Sequence, residues 1–347
     1  MSPRAVLFVP QHQGGGTGEF YRLLAVAEAP HARDATVEIR FLMPQACPLR
    51  ARLPFAYTES DLPDRERARF HAREIARLQP PIVVFDKTCR GSLLRHCRRH
   101  GAHAICISDE PGTLAKALRL DWLWQLPEHW HQRYLLDRPA FSRGQRIKAA
   151  FGNTRHLLFD VCHAEAERAD SAASTATPYV LWAPGGGCYV LDGQPVAAVF
   201  AAAADAAARA TGSRMLIVGA ERPAAESPVE AIPAQPQAAL MRLVQRATLV
   251  VTGGGHLLHQ AMSLGVPTLT LPLGGSDQQA RIARYADCGW TVAVSPEPAA
   301  IAPATMALLA DDGQRRQIRE RLAVLGLRNG LPLMVEALLA RLDGAGR

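Results

Sequence analysis

The sequence predicts an α/β protein of two domains, each built on a parallel sheet with crossover helices. Three observations predict it. Short apolar, β-rich runs alternate with helical stretches along the whole chain, the pattern that parallel sheets produce. A length of 347 residues with 48% hydrophobic residues is more than one ordinary core accommodates. Two halves of similar pattern are separated by residues 165–178, whose Ser-Ala-Ala-Ser-Thr-Ala-Thr-Pro run has little to bury and ends on a proline.

In the first half the strand candidates are 5–9, 37–43, 82–85, 104–108 and 157–161; in the second they are 179–183, 215–218, 249–252 and 268–271. Residues 196–210 are nearly all alanine and valine, a strong helix by intrinsic propensity. Residues 237–247 put Leu240, Leu243 and Val244 on one helical face. The expected division is an N-terminal domain over 1–165, a linker over 166–178, a C-terminal domain over 179–325, and a C-terminal helix over 326–347 with the first domain as a place for it to pack back on.

The formal charge of +7 favours an anionic partner: a phosphorylated substrate, nucleic acid or an acidic membrane surface. Nearly all of the positive charge is arginine, because only Lys87, Lys116 and Lys148 are lysines. Arginine suits bidentate phosphate contacts, although genome composition explains the excess equally well. No recognition element for nucleic acid accompanies the charge, and none is expected as a partner. No run of eighteen apolar residues occurs, and the N-terminus leads straight into a short apolar strand, so the expected location is the cytoplasm with, at most, peripheral contact with a membrane. Seven cysteines lie scattered with no C-x-x-C pair; they read as reduced, structural thiols.

Three glycine-rich loops carry the chemistry. They are QGGGTGE at 13–19, PGGG at 184–187 and TGGGH at 252–256. Each follows an apolar strand and is expected to open a helix, so that backbone amides and a helix N-terminus make an anion site. Two such loops at one edge of one parallel sheet could hold a diphosphate from two sides. The match to G-x-G-x-x-G is poor, no acidic residue ends the second strand, and no G-x-x-x-x-G-K-[ST] occurs. These absences demote a nicotinamide-dependent dehydrogenase and a P-loop nucleotidase.

Residues 249–283 read LVVTGGGHLLHQAMSLGVPTLTLPLGGSDQQARIA. This segment closely resembles the donor-binding segment of GT-B glycosyltransferases, notably the lipid-linked N-acetylglucosaminyltransferase of peptidoglycan synthesis and its relatives. The resemblance implies a GT-B fold, α/β with two Rossmann-like domains whose parallel sheets face across a central cleft. It also implies roles for residues. Thr252, Gly253, Gly254, Gly255, His256 and Leu257, with Gly185, Gly186 and Gly187, offer amides to the donor diphosphate. Gln260 holds the ribose where the family usually has Glu, and an amide can still hydrogen-bond a diol. Asp277, Gln278 and Gln279 grip the donor sugar, Ile282 replaces an Asn, and Ile232 within 229–233 lines the nucleobase. The co-substrate is a nucleotide-diphosphate sugar, UDP or dTDP, carrying a hexosyl or N-acetylhexosaminyl group, with no cofactor and no metal. The acceptor is a small molecule, a glycan or a lipid-linked group.

The first half shows a second likeness. Gly16-Thr-Gly-Glu-Phe-Tyr-Arg22, then VVFD at 83–86 and ISDE at 107–110, resemble the G-x-G-H-x-x-R, D and D-D series of the nucleotide-sugar hydrolase of pseudaminic acid synthesis. Gly16, Thr17 and Gly18 would form the acceptor loop. Glu19 stands where many relatives carry the histidine taken as general base; partial burial would fit a carboxylate for that work. The alternative is that Glu19 only caps the helix beginning beside it. Asp109, or Asp86, is the fallback base. The implied activity is inverting glycosyl transfer; the rivals are nucleotide-sugar hydrolysis with water as nucleophile and nucleotide-sugar binding without turnover.

Two further features stand outside that scheme. His96 and His100 lie four apart on a predicted helix, but Arg95, Arg98 and Arg99 beside them make a poor cation site. Residues 121–146 concentrate Trp122, Trp124, Trp130 and Tyr134 among histidines and arginines. They read either as an aromatic, basic insertion that receives a sugar or lipid headgroup, or as buried tryptophans beneath a solvated basic face; the second reading is preferred.

Overall fold

The computed structural model describes residues 4–10, 18–45, 47–86, 89–109, 117–132, 141–165, 177–186, 189–221, 224–274 and 278–345. Two compact units are present, one holding 19–162 and 329–347 with the N-terminal strand, the other holding 163–328.

The first unit contains β1 (Ala5–Val9), α1 (Gly18–Arg33), β2 (Glu38–Met43), β3 (Ala56–Glu59), α2 (Arg67–Leu78), β4 (Ile82–Asp86), α3 (Gly91–Arg99), β5 (His103–Ser108), α4 (Leu120–Leu123), β6 (Glu128–Gln132), α5 (Arg143–Phe151) and β7 (Arg155–Phe159). Its seven strands form one parallel sheet in the order β3-β2-β1-β4-β5-β6-β7. AVLFV in β1 and IVVFD in β4 are buried at every position, as strands covered on both faces must be. One face packs Phe8, Phe41, Trp130 and Phe159; the other packs Leu7, Phe85, Phe70 and Leu94.

The second unit contains β8 (Tyr179–Ala183), β9 (Val190–Leu191), β10 (Gln194–Pro195), α6 (Val196–Thr211), β11 (Arg214–Val218), β12 (Glu230–Ile232), α7 (Gln237–Arg246), β13 (Leu249–Gly253), α8 (His256–Ser263), β14 (Thr268–Leu271), α9 (Gln278–Asp287), β15 (Val292–Ala293), α10 (Pro298–Ala310) and α11 (Asp312–Leu325). Its parallel sheet runs β12-β11-β8-β13-β14-β15. Both units therefore repeat the same Rossmann-like order, in which the strand sequence reverses between the first and fourth strands. The last helix, α12 (Leu331–Ala345), returns to the first unit, where Met334, Val335 and Leu338 join the core. Arg4 pairs with its Asp343 at 2.5 Å. Among the described residues no helix is long and apolar enough to cross a membrane.

Within 121–146, where 133–140 with Tyr134 lie outside the described residues, the preferred expectation of a buried stretch holds for Glu128–Gln132, a buried strand in register with β5 and β7. EHWHQ can occupy that place because each polar side chain finds a partner. Glu128 meets His103 and Arg341, His129 and His131 meet Ser108, and Gln132 meets Arg22. Of the tryptophans in this stretch, Trp122 and Trp130 are core, but Trp124 is 57% exposed. One expectation needs correction: the loop after β8 does not open a helix. It feeds the antiparallel β9–β10 hairpin, whose two-residue Asp192-Gly193 turn has φ of 49° and 75°, the left-handed pair that tight hairpins need.

Candidate functional site

In the second unit, β8 and β13 are adjacent and parallel, with Thr252 opposite Ala183. The Thr252 hydroxyl donates to the Ala183 carbonyl at 3.0 Å. The two glycine turns thus leave the same edge of the sheet side by side, at the reversal of strand order where open α/β sheets bind ligands. Gly185 has φ of +89°, a conformation that glycine adopts at little cost and residues with a Cβ do not. Gly255 is the N-cap of α8 and has no side chain with which to cap it. The helix dipole favours an anion at this end, where the first amides of an α-helix have no partner within the helix itself.

The second turn is built from below. A Cβ on Gly253 would stand 2.6 Å from Leu273, and one on Gly254 would stand 2.7 Å from Cδ1 of Ile282. Arg281 donates from Nη2 to the Gly254 carbonyl at 2.7 Å. Gln278 is buried and its Oε1 accepts from the Leu273 amide at 3.1 Å. Gly274 lies under the ring of Tyr189, which a Cβ would approach to 2.4 Å. Glycines at 253, 254 and 274 thus let α9, the hairpin and the β14 loop close on the turn.

The other expected donor residues are distributed as follows. Gln260 is buried on α8, one turn in, and Gln279 is exposed on α9. Ile232 ends β12, half-buried, with its carbonyl accepting from Gly219 at 2.9 Å. Gly186 is half-buried past β8. Gly187 and Asp277 lie outside the described residues.

In the first unit, the carboxyl ends of β4 and β5 meet α1. Arg22 is 1% exposed. It donates to Asp86 through Nη2 at 2.5 Å and Nε at 3.3 Å, and through Nη1 to Asp109 at 3.1 Å and to Gln132 at 3.0 Å. Burial pushes the Asp86 carboxyl up to about 6 against the pull of Arg22. Burial also works against the Arg22 charge, but the carboxylates outweigh it and hold the guanidinium well above its ordinary value. Glu19 is half-buried in the first turn of α1, three residues before Arg22, and its charge reaches both Arg22 and Asp86. Gly18 opens the same helix; Gly16 and Thr17 lie outside the described residues.

A second polar group occupies the other side of β5. The Ser108 hydroxyl lies 2.8 Å from His129 Nε2 and 2.8 Å from His131 Nδ1, and His129 Nδ1 lies 3.3 Å from His156. Burial, then the neighbouring His131 and His156, hold His129 well below the ordinary histidine range. Among the described residues no group of three or more His, Cys, Asp or Glu is gathered to hold a metal ion; the rings of His96 on α3 and His100 at its C-cap lie 4.5 Å apart, tilted by 48°.

No family model matches the sequence, and no curated protein matches it. Solved structures do. UGT2 of Phytolacca americana, complexed with UDP-2-fluoro-glucose and pterostilbene, superposes with a TM-score of 0.63 at 12% identity, covering 98% of this chain and 99% of that one. The spinosyn forosaminyltransferase SpnP gives 0.60 at 16% identity over 96% and 99%. UGT89C1 of Arabidopsis thaliana, complexed with UDP-L-rhamnose, gives 0.59 at 14% over 97% and 98%. The chain has the GT-B fold.

Within this GT-B chain, sequence reasoning missed several residues at the site. Arg281 was inside the motif but carried no assigned role; its spacing of three from Gln278 is the signal that puts both on one face of α9. Ile282 packs under Gly254, a role the motif alone did not reveal. Gln132 gave no signal at all, because a strand of polar residues has no apolar period to detect.

Proposed function

We propose that the chain is a glycosyltransferase that moves a sugar from a nucleotide-diphosphate donor to an acceptor with inversion. The observation that carries the reading is the pairing of two glycine turns at the strand-order reversal of the second sheet, beside the N-terminus of α8. Amides from Gly185, Gly186, Gly187 and from Gly254 to Leu257 would bind the diphosphate and stabilise it as it leaves, a preorganised electrostatic role. Gln260 would take the ribose, Ile232 would flank a uracil or thymine base, and Asp277 with Gln278 and Gln279 would hold a hexose or N-acetylhexosamine. The fold neighbours support this reading, because UGT2 and UGT89C1 were crystallised with UDP-sugars.

For the base that deprotonates the acceptor, Glu19 is favoured over Asp109. Asp109 is 2% exposed and accepts from the Arg22 guanidinium, whereas Glu19 is half-buried in the first turn of α1, closer to what general-base work requires. The proposed mechanism needs no metal. Six described cysteines are free thiols, which fits a reducing compartment such as the cytoplasm.

Thermal melts with UDP, dTDP, GDP and CMP test the donor site, since a ligand of the folded form raises the melting temperature. A rise with UDP or dTDP is expected; no rise with any of the four overturns the reading. Incubation of UDP-glucose and UDP-N-acetylglucosamine with and without an acceptor panel separates the activities. Stoichiometric free sugar without acceptor would assign hydrolysis instead.

A further inference from the structure

One face of the first unit combines exposed apolar side chains with positive charge. α5 has no buried residue. Its half-buried positions are Gln145 and Ala149, followed by Gly152 just past its end, so a single narrow helical face meets the unit. Ile147 and Phe151 are four residues apart and point away from that face, at about 100° per residue. They are 58% and 74% exposed. Arg146 flanks this strip on one side, Lys148 on the other, and Arg143 precedes it, all three exposed.

The surface extends beyond α5. A Cβ on Gly152 would stand 2.7 Å from the side chain of Leu123, and the Asn153 amide donates to the Leu123 carbonyl at 3.1 Å. That junction sets Trp124, 57% exposed, beside the end of α5. A cavity of about 170 Å³ next to it is lined by Trp124, Gln125, Asn153 and Arg98, which brings in α3 with exposed Arg95, Arg98 and Arg99. Neither α3 nor α5, nor the chain from Gly152 to Arg155, contains an acidic residue. Asp121 on α4 is the acid nearest in sequence to Trp124, against the cations of α3 and α5; single exposed hydrophobics are ordinary, whereas three beside an excess of positive charge are not.

The geometry points to docking of this face on an anionic phospholipid bilayer. Ile147, Phe151 and Trp124 would enter the boundary between headgroups and acyl chains, while Arg143, Arg146 and Lys148 remain level with the lipid phosphates, as in a helix lying in the interface plane. The cavity beside Arg98 is large enough for a phosphate group. Nucleic acid would use the cations but leaves the outward Ile147 and Phe151 without a role. A peripheral mode agrees with the lack of a membrane-crossing helix among the described residues. The proposal does not depend on the transferase reading.

Co-sedimentation with vesicles of phosphatidylcholine alone, or mixed with phosphatidylglycerol, tests it on the full chain. Binding to the mixed vesicles only, weakened by salt, is expected. Ile147→Ser with Phe151→Ser should weaken binding about tenfold. Gln at Arg143, Arg146 and Lys148 together should weaken it by at least about tenfold. Melting temperatures should hold, because these side chains are exposed. No binding of the unmodified protein to anionic vesicles, or a serine double variant that binds as well as the parent, would overturn the proposal. So would tight binding to a labelled oligonucleotide that the glutamine triple variant loses while vesicle binding is absent.

Discussion

Arg22 and Asp86 face each other as a fork on a carboxylate, Nη2 to Oδ1 at 2.5 Å and Nε to Oδ2 at 3.3 Å, with neither residue more than 1% exposed. The same guanidinium reaches Asp109. A charge so placed is tolerable only while its partners remain. Arg22→Met should therefore cost roughly 3–5 kcal/mol of stability by urea denaturation, because it strands two buried carboxylates. Adding Asp86→Asn and Asp109→Asn to that variant should recover much of the loss. A single Arg22→Met variant as stable as the parent would show that the cluster is solvated in solution.

Acid stability should reflect two groups of opposite sign. Burial pushes His71 down to about 4, with Arg67 adding to it. The unfolded chain binds this proton at about pH 6.5, so stability is complete above that pH and falls as the pH drops towards 4, by on the order of 2–3 kcal/mol. Asp86, up to about 6, acts the other way: the folded chain takes its proton first, so its contribution is present at low pH and is lost as the pH rises through about 6. Urea midpoints measured from about pH 7 to pH 4 should fall less steeply in His71→Leu and more steeply in Asp86→Asn than in the parent.

The glycine turn after β13 should be intolerant for one stated reason. Gly254→Ala places a methyl 2.7 Å from Ile282 and should weaken UDP binding by about tenfold or more, read by calorimetry, through displacement of the amides on either side. Adding Ile282→Ala opens the space and should restore binding. The Ile282→Ala change alone should cost about 2–5 kcal/mol in stability. Failure of the second substitution to rescue the first would mean that backbone geometry, not the isoleucine, excludes the side chain.

For the proposed base, Glu19→Gln should lower the turnover rate by about 10²–10⁴-fold while UDP affinity is unchanged. Asp109→Asn should mainly alter stability, since it removes a partner of Arg22. Equal rates for Glu19→Gln and the parent would leave Glu19 as a helix-terminal residue only.

Much of the fold was legible in the sequence because parallel strands covered on both faces must be apolar throughout. AVLFV, IVVFD, YVLWA and LVVTG announce themselves for that reason. EHWHQ in β6 does not, since its burial depends on Ser108, Arg22, His103 and Arg341, which come from distant parts of the chain. The hairpin after β8 carried its Asp-Gly turn in plain view, but the expectation of a strand-to-helix loop overrode it. The glycine turns were visible as glycines; what each one makes room for was not, because Leu273, Ile282 and Tyr189 reach them only after folding.

The sequence by itself determined two parallel α/β units and the positions of their glycine turns, because local periodicity and turn chemistry act over a few residues. Only the tertiary structure decided that the turns at 185 and 254 leave one sheet edge together, that α12 completes the first unit's core, and that Arg22 is shared by two carboxylates. Each of those is a contact between residues far apart in the chain, which forms only when burial makes an unpartnered polar group or an uncovered apolar face costly enough to select one arrangement.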